Sequence, residues 1–300
     1  MLDAEISELR RSLPELEIRE NEPMDRHTSF RTGGPARVML LPGSTEELEC
    51  AVRAVIGLGA KHFIMGNGSN LLFPDDGYDG IVIKTTGVQD TASVGGGVIR
   101  AGCGALLSRT AAFAQKGSLT GMEFAHGIPG SLGGAVIMNA GAYGGEMADI
   151  VRRVVYLDSG GERREAGRGE LGFAYRKSRF EPGETVLFAE LELAPGDGEE
   201  ILRRMAELSG KRRASQPLDM PSAGSAFKRP EGAYAAALID AAGLKGLRVG
   251  GAQVSEKHAG FIVNAGGAKS SDVLELMDRV REAVFRHSGV ELEPEIRVVE

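Results

Sequence analysis

Residues 127–146 read GIPGSLGGAVIMNAGAYGGE, seven glycines in twenty positions threaded through small apolar side chains and a single Asn. Glycine at this density ordinarily marks a flexible linker. Linkers, however, are built from Ser, Pro and charged residues and not around a run such as Val136-Ile137-Met138. A stretch that is both apolar and stripped of side chains implies something lying close against its backbone, and only folds that supply such a neighbour are compatible with it.

The chain of 300 residues is long enough for two or three domains, and 42% hydrophobic with 26% charged residues is the balance of an ordinary globular protein. A net charge of −7 argues against nucleic acid or an anionic membrane as partner, so an anionic ligand would need a local basic pocket. Cys50 and Cys103 form no CxxC or metal pattern, which suits a reducing cytoplasm. The acidic, amphipathic N-terminus is unlike a signal peptide, and no apolar run reaches the roughly 18 residues of a membrane span. The expected setting is the cytosol.

Periodicity predicts a short helix over 1–20, with Leu2, Ile6, Leu9 and Leu13 on one face. A second helix is expected over 44–59, opened by Ser44 and Glu47 as a capping box and closed at Gly59. Strands are expected at 62–66, 81–84, 98–102, 151–158, 185–193, 260–264 and 295–299, and helices at 105–115, 200–212, 232–242 and 271–287; a loop rich in Pro and Ser covers 214–225. Helices and strands mix without regular βα alternation, so the fold class is α+β rather than a doubly wound parallel sheet. The turn at 194–200 marks a domain boundary.

One G-x-G-x-x-G occurs, GRGELG at 167–172, but it follows the polar GGERREA instead of a hydrophobic strand. A dinucleotide fingerprint needs strand, glycine turn and helix in that order, so the Rossmann reading is set aside. No P-loop is present. His27, His62, His126, His258 and His287 have no ligand spacing, and no metal site is expected.

A second cluster, GNGSN at 66–70, follows an expected strand. Its consecutive backbone N–H groups could form a nest for phosphate oxygens, or the Asn-Gly pair could be a plain hairpin turn. Two such loops in one chain favour backbone laid along a large flat ligand. Asn139 could read the edge of a heterocycle or satisfy a turn.

Several stretches carry a resemblance. HTSFRTGGPA (27–36), GNGSNLLFPDDGYDGIVI (66–83), GIPGSLGGAVIMNAGAYGGE (127–146), YRKSRF (175–180), PSAGSAFKRPEG (221–232), GGAQVSEKHAGFIVN (250–264) and LEPEIR (292–297) occur in the order found in the UDP-N-acetylenolpyruvoylglucosamine reductases, flavoproteins of peptidoglycan precursor synthesis. The chain resembles that family over about His27 to Arg297.

The resemblance implies a non-Rossmann FAD-binding fold of the vanillyl-alcohol-oxidase type, in two α+β subdomains (1–86, and 87–198 completed by 290–300), with a substrate-binding domain at 199–289. It implies non-covalent FAD, its pyrophosphate near Gly66, Asn67, Gly68, Ser69 and Asn70. The isoalloxazine would lie near Gly127, Ile128, Gly130, Ser131, Gly133 and Gly134 and then Asn139, Ala140 and Gly141. NADPH is the implied hydride donor, using the substrate's site in turn, and a UDP-sugar is the implied substrate.

The implied reaction reduces an enol ether conjugated to a carboxylate, so negative charge develops as an enolate and the α carbon must then be protonated. By position in the family's motifs, Arg176 would stabilise the enolate, Glu295 would assist as a carboxylic acid kept protonated by burial near an anion, and Ser225 would deliver the proton. Residue types alone would leave Arg176 on a solvated basic surface beside Lys177 and Arg179, Ser225 as a helix cap, and Glu295 at an exposed strand end. Lys211, Arg212, Arg213, Lys228 and Arg229 flank the serine loop, and Lys228 is the one expected to bind substrate; Lys257 and His258 line the same cleft or form a structural turn.

Only 49 positions separate Arg176 from Ser225, so the chain resembles the shorter subclass lacking a Tyr-bearing loop insertion. The runner-up is a related FAD-dependent sugar or lactone oxidase or dehydrogenase, in which His27 or His126 could tether the flavin. A sugar-nucleotide binder without catalysis would have no use for a proton donor. A monomer is expected, since no long exposed apolar helix stands out.

Overall fold

The computed structural model describes residues 2–300 and divides into two compact units. One comprises the chain up to Glu20, Val38–Asn67 and Gly80–Lys211; the other comprises Asn21–Arg37, Gly68–Asp79 and Arg212–Glu300.

The first unit is built around a five-stranded antiparallel sheet in the order Arg163–Gly167, Val151–Leu157, Thr185–Glu192, Val98–Gly102, Thr91–Gly95. Thr185–Glu192 is central and buried along nearly its whole length, as its run of apolar residues predicts. A second sheet runs Glu17–Pro23, Pro35–Leu41, Tyr78–Lys84, His62–Met65, the last two parallel. The helix Thr45–Gly57 buries Leu48, Ala51, Val52 and Val55. Ser44 caps it by accepting the Glu47 N–H at 3.1 Å, while the Glu47 carboxylate reaches back to the Gly43 N–H at 2.7 Å. The capping box is present with its return bond moved one residue upstream.

In the second unit a four-stranded sheet, Ser222–Ser225, Phe261–Asn264, Ala252–Val254, Arg248–Val249, packs with the helices Ala235–Ala241 and Ser270–Ser288 around Phe227, Ile239, Ile262, Leu276 and Val280. Arg297–Val298 pairs in parallel with Leu71–Leu72. Sheets that are mostly antiparallel, with helices and strands intermixed, make the class α+β.

Several expectations shift. The first helix stops at Ser12 and Glu17–Pro23 is a strand, because Pro14 cannot continue a helix. Ile6 and Leu9 are buried; the side chain of Leu2 lies outside the described residues. Pro35–Leu41 is a strand beyond those expected, since Val38, Met39 and Leu40 are all buried and show no period-two alternation. The end of the supposed 214–225 loop is the strand Ser222–Ser225, so Ser225 caps no helix. GRGELG enters a single 3-10 turn, Arg168–Glu170, after a polar strand, and opens no helix.

Candidate active site

Gly66 and Asn67, which open the second glycine cluster, meet the 127–146 loop within the first unit. The Asn67 side chain donates to the Pro129 carbonyl at 2.6 Å, and a Cβ on Gly66 would fall 1.9 Å from Ser131 Oγ. Ser131 sits at the N-cap of the short helix Leu132–Ile137 without capping it, although it is only 2% exposed.

Part of the glycine density answers to the protein's own packing. A Cβ at Gly133 would meet Cys103 Cβ at 3.0 Å, at Gly141 it would meet Glu146 Cβ at 2.8 Å, and at Gly145 the Phe124 ring at 2.7 Å. Gly134, by contrast, is exposed, with Ser131 Oγ its nearest neighbour at 3.9 Å. The buried Cys103 thiol facing Gly133 is pushed up to about 12 by burial and is no nucleophile.

These loops fit a dinucleotide cofactor. Among the described residues, the N–H groups of Asn67, Gly68, Ser69 and Asn70 donate to no protein acceptor, and Gly68 takes the left-handed φ of +65° that a backbone nest requires. A buried serine hydroxyl unused as a cap and a row of unused N–H groups are what a pyrophosphate accepts from. Gly127, Ile128 and Gly130 precede Ser131 in the same loop; the Ile128 N–H is taken by Ala125 and the Gly130 carbonyl by Leu107.

Asn139 is committed to the protein. It is fully buried at φ +41°, its Nδ2 donates to the Ala174 carbonyl at 3.1 Å and its Oδ1 accepts the Ala148 N–H at 2.9 Å. Of the two readings open in the sequence, the turn is the one its side chain serves. Ala140 donates its N–H back to Ala135 and accepts from Met147, while the Gly141 carbonyl faces Arg176 Nη1 at 3.5 Å.

Arg176 belongs to the first unit, at the tip of a two-residue turn closed by reciprocal bonds between Ala174 and Lys177. The basic residues around it are not equivalent. Arg179 binds Tyr156 Oη at 2.5 Å and Glu184 at 3.2 Å, a structural network, whereas Arg176 lies within 5.1 Å of the exposed Tyr175 ring.

Ser225 and Glu295 belong to the second unit and are brought together there. Ser225 ends its strand opposite Phe261, just past a register shift at which Gly224 takes φ +81°. The chain then runs antiparallel to 293–295: the Glu295 N–H donates to the Ala226 carbonyl and the Lys228 N–H to the Glu293 carbonyl, both at 2.9 Å, with Phe227 opposite Pro294. Glu295 is half-buried, and its carbonyl accepts from Asn70 Nδ2 at 3.1 Å, which ties it to the GNGSN loop.

Among the flanking cations, Lys228 forms an ion pair with Glu293, Lys211 with Glu207 at 2.6 Å, and Arg229 stacks over Tyr234. Lys257 donates to the Arg213 carbonyl at 2.6 Å. SEKHAG is an ordered turn in which Ser255 Oγ accepts the N–H groups of Lys257 and His258. Burial holds His258 below the usual imidazole range, and its Nδ1 accepts the Gly260 N–H.

Ser29 is a site residue that the sequence does not single out. Its hydroxyl donates to the Ser222 carbonyl at 2.6 Å, and its N–H to the Gly68 carbonyl at 3.1 Å, joining the GNGSN loop to the strand that carries Ser225. A serine inside HTSF carries no periodic signal that could reveal this.

Known proteins bear on this arrangement. The FAD binding domain family matches residues 36–167, and the UDP-N-acetylenolpyruvoylglucosamine reductase C-terminal domain family matches residues 216–299. The UDP-N-acetylenolpyruvoylglucosamine reductase of Caldanaerobacter subterraneus is 47% identical over 300 residues, covering 100% of this chain and 99% of that protein. The chain belongs to this family. The reductase of Alkaliphilus oremlandii is 46% identical over 292 residues, 97% of this chain and 96% of its own length. The crystal structure of the Thermus caldophilus reductase superposes with a TM-score of 0.81 at 40% identity, covering 95% of this chain and 99% of that one. Family membership makes the cofactor FAD and the fold its non-Rossmann binding fold, in keeping with the polar strand before GRGELG and the single 3-10 turn, opening no helix, that follows.

Proposed function

We propose that the chain is an FAD-dependent UDP-N-acetylmuramate dehydrogenase. It uses NADPH to reduce the enolpyruvyl ether of UDP-N-acetylglucosamine enolpyruvate to UDP-N-acetylmuramate in peptidoglycan precursor synthesis. The observation that carries this reading, in a chain of this family, is the backbone bond from Glu295 to Ala226, which anchors Glu295 to the residue next to Ser225.

The loops at 66–70 and 127–141 would hold FAD, which when bound and reduced would supply a hydride for the substrate carbon β to the carboxylate. The residues of the chain manage the resulting charge and the proton. Arg176, permanently charged and able to meet two oxygens at once, binds the carboxylate on which enolate charge accumulates. Glu295, protonated, donates a hydrogen bond to the same group. Ser225 Oγ, which has no hydrogen-bond partner among the described residues, passes its proton to the α carbon. Lys228 offers its ammonium to the substrate pyrophosphate, exchanging the Glu293 carboxylate for it.

By function the chain divides differently from its two compact units: 1–86 and 87–198, completed by 290–300, hold FAD, and 199–289 bind substrate. Pairing of Arg297–Val298 with Leu71–Leu72 supports the assignment of the C-terminus, because Leu71 directly succeeds the GNGSN loop. FAD is bound non-covalently; His27 is engaged by Glu22 at 2.8 Å and His126 by Ser209 at 3.2 Å. The proposal includes a cytosolic setting and a monomer, the latter to be checked by light scattering.

Anaerobic spectroscopy tests the function. NADPH should bleach the flavin band, and UDP-N-acetylglucosamine enolpyruvate should restore it within seconds without air. A band that returns only when oxygen is admitted would make the protein an oxidase-like relative and remove the reading.

A further inference from the structure

Arg176 takes φ +55° in the two-residue turn closed by Ala174 and Lys177. A long side chain rarely adopts left-handed backbone by preference, so its surroundings must hold it there. Tyr175 beside it is 51% exposed, and its ring centre lies 5.1 Å from the Arg176 guanidinium.

Two side-chain hydrogen bonds grip the turn from either flank. Asn139 Nδ2 donates to the Ala174 carbonyl at 3.1 Å before the turn, and Ser178 Oγ donates to the Ile137 carbonyl at 2.7 Å after it. Both join the same three residues, 137–139, at the end of the helix Leu132–Ile137. The Asn139 amide can be oriented only one way, since its oxygen must face the Ala148 N–H and its nitrogen the Ala174 carbonyl. Asn139 is 0% and Ser178 6% exposed, so water does not compete for either bond.

We propose that Asn139 and Ser178 are positioning residues that clamp the Arg176 turn in its left-handed conformation and so pre-orient the guanidinium for the substrate carboxylate. Neither acts on the substrate itself. The inference rests on the reading that Arg176 stabilises the enolate, because a charge-stabilising group contributes most when its orientation is set before the charge develops.

The test uses the holoenzyme in single turnover. Ser178→Ala removes one hydroxyl at nearly constant volume; Asn139→Asp keeps the acceptor for Ala148 and removes the donor to Ala174. Each should slow reoxidation of the NADPH-reduced enzyme by UDP-N-acetylglucosamine enolpyruvate on the order of tenfold, and slow the NADPH step less. Ser178→Thr, which retains a hydroxyl, should recover most of the loss. In an Arg176→Ala background, Ser178→Ala should cost less than about twofold more, because its effect passes through a side chain already gone.

Trypsin reads the clamp without catalysis: native cleavage after Arg176 and Lys177 should rise about tenfold in Ser178→Ala. A full loss repeated in the Arg176→Ala background, or a turn as resistant to trypsin in Ser178→Ala as in the wild type, overturns the proposal. An Arg176→Ala enzyme that reoxidises at the wild-type rate removes the enolate role instead, and cleavage at 176–177 still decides whether the turn is clamped.

Discussion

Glu295 and Ser225 stand one residue out of register across a backbone ladder, because the Glu295 N–H donates to the carbonyl of Ala226 at 2.9 Å. Ala226 is itself fixed on its other side, its N–H donating to the Gly260 carbonyl at 2.8 Å. A serine whose next residue is held this way cannot shift along the pairing without breaking buried backbone bonds. Ser225→Ala should therefore leave fold and NADPH reduction intact while slowing flavin reoxidation by substrate roughly 10²–10⁴-fold, the usual worth of a positioned acid. Stopped-flow traces of the two half-reactions check this; equal slowing of both would deny Ser225 its role.

Gly66 leaves no room for a side chain, and the obstacle is a single hydroxyl. Gly66→Ala would drive its methyl into Ser131 Oγ, costing about 1–3 kcal/mol of overpacking strain and displacing a group offered to the cofactor. Flavin fluorescence titration should show weaker FAD binding. Adding Ser131→Gly should recover the thermal midpoint of the apoprotein but not the FAD affinity.

Asp75 caps the helix Ser270–Ser288 from a distant stretch of chain, accepting the Ser270 N–H at 2.6 Å and the Ser271 N–H at 3.0 Å. Asp75→Ala should lower stability by about 1 kcal/mol, read as a fall of roughly 2–4 °C in the melting midpoint. Burial works to raise the Asp75 carboxyl, but the hydrogen bonds from Ser271 and Ser270 outweigh it and hold it below its ordinary value of 3.8. A depressed carboxyl contributes stability above that value and loses it as pH falls through the folded pKa. The wild-type advantage over Asp75→Ala should accordingly vanish in strong acid.

His258 works in the opposite chemical sense with the same sign. Burial keeps it below its ordinary value of 6.5, so the unfolded chain takes up a proton more readily than the folded one. Stability is lost as pH drops through that value. Urea midpoints measured between about pH 7.5 and 5.5 should fall in the wild type and fall less in His258→Gln; identical slopes would mean that His258 titrates alike in both states.

Much of the fold is legible locally. Ser44 and Glu47 announce a helix start because capping acts within four residues, and Thr185–Glu192 announces a buried strand because its apolar run is continuous. The site loops are legible as glycine density, though only the contacts of Gly133 with Cys103 and Gly145 with Phe124 separate glycines demanded by packing from those open to a ligand. Arg163–Gly167 and Ser222–Ser225 do not show as strands in the sequence: RREAG and SAGS carry no hydrophobic signature, and their strand character comes from the neighbours that pair with them.

By itself the sequence determined the α+β class, the absence of a dinucleotide fingerprint in working context, the family, and the residue types available for enolate stabilisation and proton delivery. Each of these depends on residue identity and short-range spacing. Tertiary structure alone decided that Asn139 serves the Arg176 turn, that Ser29 joins the GNGSN loop to the Ser225 strand, and that Glu295 pairs with Ala226, the residue after Ser225. Those relationships run through hydrogen bonds between residues far apart in the chain. Such a bond forms only after packing has excluded water from both partners, and no local pattern encodes which partners those will be.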